Sequence, residues 1–123
     1  MARLFVDVDD TLILWDVSEV SRSGLYQMDG YKINDALRTA VIKAVNADPD
    51  LQLYIWSGGG VDYAAMWAGR VFGGGLPWRA LSKDINIPML DDVCIDDQPI
   101  QVSGTLLTWQ QFVDRKEELS LSN

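Results

Sequence analysis

The sequence predicts an α/β domain built on parallel strands, and three observations carry the prediction. Apolar runs at 4–8, 51–56 and 93–95 are rich in β-branched and aromatic residues and barely alternate, as strands buried on both faces do. Two stretches between them, 35–46 and 61–72, have helical spacing instead. Each apolar run also ends in groups capable of chemistry: Asp7-Val8-Asp9-Asp10, Ser57-Gly58-Gly59-Gly60 and Asp96-Asp97. In open α/β sheets ligands bind in the crevice outside the carboxyl ends of the strands, so these three termini mark one candidate site.

The first run, Leu4 to Val8, reads as a strand buried on both faces. Asp7 and Asp9 are two apart, so along an extended segment both side chains leave on the same side and could converge on one ligand. Two unpaired anions at that distance repel. They need a cation, a shared proton or a solvated acidic turn, and the hard oxygen donors suit magnesium. Residues 12–31 then carry turn chemistry in Ser21-Arg22-Ser23-Gly24 and Asp29-Gly30, which predicts a short hairpin or flap. Its apolar side would be Leu14, Trp15, Val17, Leu25, Tyr26 and Met28. Trp15 either lines a site beside the carboxylates or packs the flap onto the body, and packing is the expected role.

Asn34 or Asp35 caps a helix predicted to run through Asn46, with Leu37, Ala40, Val41, Ala44 and Val45 inward and Arg38 and Lys43 outward. Asp48-Pro49-Asp50 stops it. The strand Leu51–Trp56 follows, and Ser57 with Gly58 and the next two glycines leaves a hydroxyl and main-chain donors at its end. A helix predicted over Val61–Phe72 starts just beyond, so the loop is either a phosphate cradle or a flexible turn. Trp78–Leu81 reads as a short strand, followed by Ser82-Lys83-Asp84. Val93–Ile95 is another buried strand. Residues 100–108 form a short strand and a turn at Ser103-Gly104. A helix from Trp109 to Leu119 closes the chain, with Trp109, Phe112, Val113 and Lys116 near one face and Ser120–Asn123 frayed.

With 123 residues, 48% of them hydrophobic, the chain suits a single domain over 1–123, with no room for a large cap. Ten basic and 18 acidic residues give 10 − 18 = −8, which disfavours extended nucleic-acid binding and anionic membranes. A phosphorylated ligand is still compatible, because a bound divalent cation reverses the local charge. The absence of His excludes a Ser-His-Asp triad, a His base and His-ligated zinc. Cys94, the only cysteine, reads as a small buried core residue. With no leader pattern and no apolar stretch near 18 residues, a soluble, cytoplasmic protein is expected.

Phe5-Val6-Asp7-Val8-Asp9-Asp10-Thr11-Leu12 resembles motif I of the haloacid dehalogenase (HAD) superfamily, a hydrophobic strand followed by Asp-x-Asp-x-Thr. Ser57 falls where motif II has Ser or Thr, Lys83 where motif III has its basic residue, with Arg79 and Arg70 as substitutes, and Asp96-Asp97 where motif IV has paired acids. The resemblance spans roughly residues 3 to 98. The order argues against the receiver domain of response regulators, since the middle strand here ends in Ser57 and the lysine precedes the second acidic pair.

The resemblance implies a three-layer α/β/α sandwich with a mostly parallel sheet and magnesium-dependent phosphoryl transfer. Asp7 would be the nucleophile and Asp9 the general acid and base. Ser57, Gly58 and Lys83 would bind the phosphoryl group. Asp7, the Asp9 carbonyl and Asp97 would hold the metal, with Asp96 on it or just behind it. Asp10 is left as a loop or capping residue. The substrate would be a phosphorylated small molecule or macromolecule, with the flap, or a second subunit of a homo-oligomer, as lid. A phosphotransferase, or a silent metal- and phosphate-binding protein of the same fold, is the alternative.

Overall fold

A computed structural model describes residues 2–15 and 30–122, of which 116–122 are described by backbone alone. Seven strands appear among them. These are β1 (Arg3–Asp7), β2 (Ile13–Trp15), β3 (Tyr31–Ile33), β4 (Gln52–Ser57), β5 (Trp78–Ser82), β6 (Val93–Ile95) and β7 (Thr105–Leu107). Three helices accompany them: α1 (Asp35–Ala47), α2 (Val61–Phe72) and α3 (Trp109–Ser122). Five strands make one sheet in the order β5-β4-β1-β6-β7, with every neighbouring pair parallel. β1 is central, in register Asp7 with Trp56 on one side and Val6 with Ile95 on the other. All five strands therefore end toward the same edge, where the polar termini gather.

Alternation along the strands sorts the core into two faces. Leu4, Val6, Leu53, Ile55 and Ile95 meet Leu37, Val41 and Val45 of α1, Ala64, Trp67 and Val71 of α2, and Phe112 of α3. Phe5, Trp56 and Cys94 point to the other face, against Tyr54, Leu81, Ile87, Ile100, Val102 and Leu106. Phe5 stacks on Tyr54 at 5.1 Å between ring centroids. Among the described residues all three helices thus lie on one face, and the second is covered by the connections β5–β6 and β6–β7. The three-layer expectation is met only as far as an α/β fold with a parallel sheet. The physical reason is local: residues 83–92 and 96–104, with Pro88 and Pro99, Gly104 and closely spaced acids, lack a helical apolar stripe.

The predicted elements hold with small boundary shifts. Asn34 caps α1 by accepting from the Leu37 amide at 3.3 Å, and its own amide donates to the Thr11 carbonyl at 2.9 Å, which ties the helix start to the acidic loop. All five residues expected inward on α1 are buried. Arg38 departs from its outward assignment. It is half-buried, and its Nε donates at 2.8 Å to the carbonyl of Val71 in the last turn of α2, where a cation meets the negative end of the helix. α3 continues to Ser122, three residues past the expected Leu119. The two ends of the expected flap pair as an antiparallel hairpin, Ile13 with Ile33 and Trp15 with Tyr31. The middle of the flap, including Val17, the turn at Ser21–Gly24, Leu25, Tyr26, Met28 and Asp29, lies outside the described residues, as does the Lys116 side chain. No helix among the described residues is long and apolar enough to cross a membrane.

Candidate active site

Strand alternation puts Asp7, at the end of β1, on the same face of the sheet as Phe5. Asp96, just past β6, follows Cys94 onto that face, and Lys83, just past β5, follows Leu81. The Lys83 Nζ lies 2.8 Å from Asp7 Oδ1 and 2.8 Å from Asp96 Oδ2, so one cation joins the ends of three strands across the width of the sheet. Its position is fixed from behind as well, because the Lys83 amide donates at 2.9 Å to the carbonyl of Ser57. Arg79 and Arg70 take no part. Arg79 is exposed on β5, and the guanidinium of Arg70 sits 5.4 Å from the ring centroid of Trp67.

The electrostatics follow from burial. Asp7 is 4% exposed and Asp96 2%. Loss of water pushes the Asp7 carboxyl up to about 7 against the pull of Lys83, with Asp96 reinforcing the rise. Burial alone would lower the Lys83 ammonium, but its contacts with Asp7 and Asp96 outweigh burial and hold it above the ordinary lysine value. Carboxylate oxygens of Asp7, Asp96 and Asp97 lie within 4.8 Å of one another, and Asp97 is exposed. Three acids against one lysine leave an excess of negative charge. The donor set is all oxygen and open to solvent on the Asp97 side, so these three residues could hold a metal ion.

Asp9 behaves differently from the same-side expectation. β1 ends at Asp7, and the chain turns at once: Leu12 and Ile13 donate back to the carbonyls of Asp7 and Val8 at 3.3 and 2.9 Å, and Asp10 takes a left-handed φ of 60°. Alternation no longer governs a residue in a turn, and the Asp9 carboxylate is absent from the trio of close acids. Its Oδ1 instead accepts from Tyr63 Oη at 2.7 Å and from Trp15 Nε1 at 2.9 Å. Thr11 donates from Oγ1 to Asp7 Oδ2 at 3.3 Å, so the two oxygens of Asp7 are divided between Lys83 and Thr11.

Comparison with family models, with curated proteins and with solved structures gives no match.

Ser57 is 1% exposed, and its Oγ accepts from the amide of Gly59 at 3.0 Å, closing a tight turn. That acceptor bond leaves the hydroxyl proton to be donated. Gly58 is exposed, and Gly60, with φ 106°, stands at the N-cap of α2 in a conformation that favours glycine, with no side chain capping the helix. Cys94 is buried, and burial pushes its thiol up to about 12, which suits a core residue.

Tyr63 was not among the sequence candidates. Burial and the bond to Asp9 push its hydroxyl up to about 12, so it stays a donor at neutral pH. The signal for it is positional. Tyr63 is the third residue of a helix that begins at a strand's carboxyl end, and first-turn side chains there overlook the ligand crevice.

Proposed function

We propose that the chain is a magnesium-dependent phosphatase of the haloacid dehalogenase type, hydrolysing a phosphomonoester through an aspartyl phosphate on Asp7. The observation that carries this reading is the double contact of Lys83 with Asp7 and Asp96, 2.8 Å to each. Three separated stretches of the chain, ending in Asp7, Lys83 and the adjacent Asp96 and Asp97, converge at one sheet edge, which supports the motif reading.

In this reading an Asp7 carboxylate oxygen attacks phosphorus. The bond to the ester oxygen breaks, and Asp9 gives that oxygen a proton as the alcohol leaves. Water then attacks the same phosphorus and passes a proton to Asp9, and the bond to Asp7 breaks to release phosphate. Lys83 neutralises charge on Asp7 and on the phosphoryl oxygens, and Thr11 fixes the rotation of the nucleophile through its second oxygen. The Ser57 hydroxyl and the amide of Gly58 would receive the phosphoryl group from the β4 side. Asp7, Asp96 and Asp97, with the Asp9 carbonyl, would hold magnesium, which supplies positive charge that draws a phosphate onto an anionic nucleophile. With a solvent-open edge and few cations, the substrate would be a monoester of a small molecule or of an exposed macromolecular group.

The test is phosphate release from an aryl phosphate by wild type and by Asp7→Asn, each with magnesium and with chelator. Turnover only by the wild type with magnesium is expected. Turnover that survives Asp7→Asn would end the nucleophile assignment.

A further inference from the structure

Asp9 has an anchor of its own. Its Oδ1 takes two donors from separate parts of the fold, Trp15 Nε1 from the hairpin strand β2 and Tyr63 Oη from the first turn of α2. The donors are not independent. The Trp15 ring meets Trp67 edge-on at 5.9 Å and 89°, and Tyr63 meets Trp67 at 6.4 Å and 74°. Tyr31, on the strand paired with β2, packs against Trp67 at 4.8 Å and against Trp15 at 6.0 Å. Trp67 is 1% exposed, so the group is seated in the core and cannot swing with solvent. On the other side of Tyr63 stands Gly59, where a Cβ would come 3.0 Å from the tyrosine ring. A glycine there leaves the ring its full room where the hydroxyl reaches Asp9, and a larger residue would press on it.

From this geometry we propose that Tyr63 and Trp15 are positioning residues for Asp9. They fill Oδ1 with two hydrogen bonds and leave Oδ2 as the single oxygen that carries the transferable proton. A carboxyl group free to rotate presents either oxygen. One whose Oδ1 is occupied by two fixed donors keeps the plane of the carboxyl group, and the direction of Oδ2, constant through protonation and deprotonation. Acid catalysis depends on that direction, because the proton must arrive along the bond being broken. The inference rests on the phosphatase reading for its chemical meaning, and on the two hydrogen bonds for its geometry.

Two measurements on the full chain separate these. The first uses no substrate: the Trp15 indole N–H resonance is followed in ¹⁵N-labelled wild type, Asp9→Asn and Tyr63→Phe. A charge-assisted bond to a carboxylate moves this proton downfield, and Asp9→Asn is expected to shift it back. An indole resonance indifferent to Asp9→Asn would overturn the clamp whatever the activity. The second compares 4-nitrophenyl phosphate, whose leaving group needs no proton, with benzyl phosphate, whose alkoxide does. Tyr63→Phe should lower kcat on benzyl phosphate at least about tenfold more than on 4-nitrophenyl phosphate, and Trp15→Phe should do so in the same direction. Equal losses on both esters would make the aromatic group structural only. Wild type inert on both esters, with the indole shift intact, would remove the phosphatase reading and leave Asp9 held for another purpose.

Discussion

Lys83 sits 2.8 Å from Asp7 and 2.8 Å from Asp96, bridging two buried carboxylates that extend from neighbouring strands. Removing the bridge leaves both anions without their common cation. Lys83→Met should lower turnover of a phosphomonoester by about 10²–10³-fold. Lys83→Arg should recover little, because a planar fork does not reproduce a point charge shared by two oxygens. Steady-state phosphate release checks both, and an active Lys83→Met would remove the lysine from the reaction.

The Asp7 carboxyl, pushed up to about 7 by burial, makes the metal-free protein sensitive to pH in a stated direction. Its folded value lies above the unfolded value of about 3.9, so the folded state binds more protons between them. Stability from this group is complete below pH ~4 and is lost as pH rises through about 7. Asp7→Asn keeps a neutral side chain throughout. Its melting temperature should therefore gain on wild type as pH is raised in chelator, and magnesium should restore the wild type. A difference that stays constant with pH would refute the burial cost.

At the opposite end of the sheet, Arg3 donates to Asp92 Oδ2 from Nε at 3.0 Å and from a terminal nitrogen at 2.6 Å, while its amide reaches Oδ1 at 3.1 Å. Burial raises the Asp92 carboxyl, but Arg3 and the amides of Met89 and Arg3 outweigh burial and leave it below the usual carboxylate value. The pair's contribution is present above the unfolded value and is lost as pH falls. Asp92→Asn should cost about 3 kcal/mol at neutral pH by urea denaturation, and less in acid. Gly104→Ala should act on the same loop, since its Cβ would press on the carbonyl oxygens of Asp92 and Met89, the latter at 2.6 Å. A loss of about 2 kcal/mol is expected. Neutral behaviour of either variant would mean that the loop has room to adjust.

Much of this was legible along the chain because it is local. The spacing of Ala64, Trp67 and Val71 places α2 to the residue, and Leu37 to Val45 name the buried stripe of α1. Asp7, Asp96 and Asp97 were readable as strand-terminal acids. Lys83 was readable only through its order in a motif, since a lysine after a short strand looks like any surface lysine until its strand is placed beside β4. Tyr63 was not readable as Asp9's partner, because 54 residues separate them and the bond depends on the phase of α2 against a turn. Arg38 failed for a related reason. Helical phase fixes where a Cβ points, but a long side chain lying along the helix can reach a neighbour's carbonyl. The second face of the sheet escaped prediction because its cover has no periodicity to read.

That cover has a kinetic meaning. β1, α1, β4, α2 and β5 follow one another as neighbours in space, so this half can form by short loop closures. β6 must instead cross back over the sheet to reach β1, a pairing that also brings together Arg3 and Asp92, 89 positions apart. Closing so long a loop comes late, and there is no crossover helix to guide it. Asp96 meets Asp7 and Lys83 only at that step. The chain would therefore acquire two of its three described helices and three of the five strands of its sheet before it could hold a cation, and cation affinity would report a late event of folding rather than an early one.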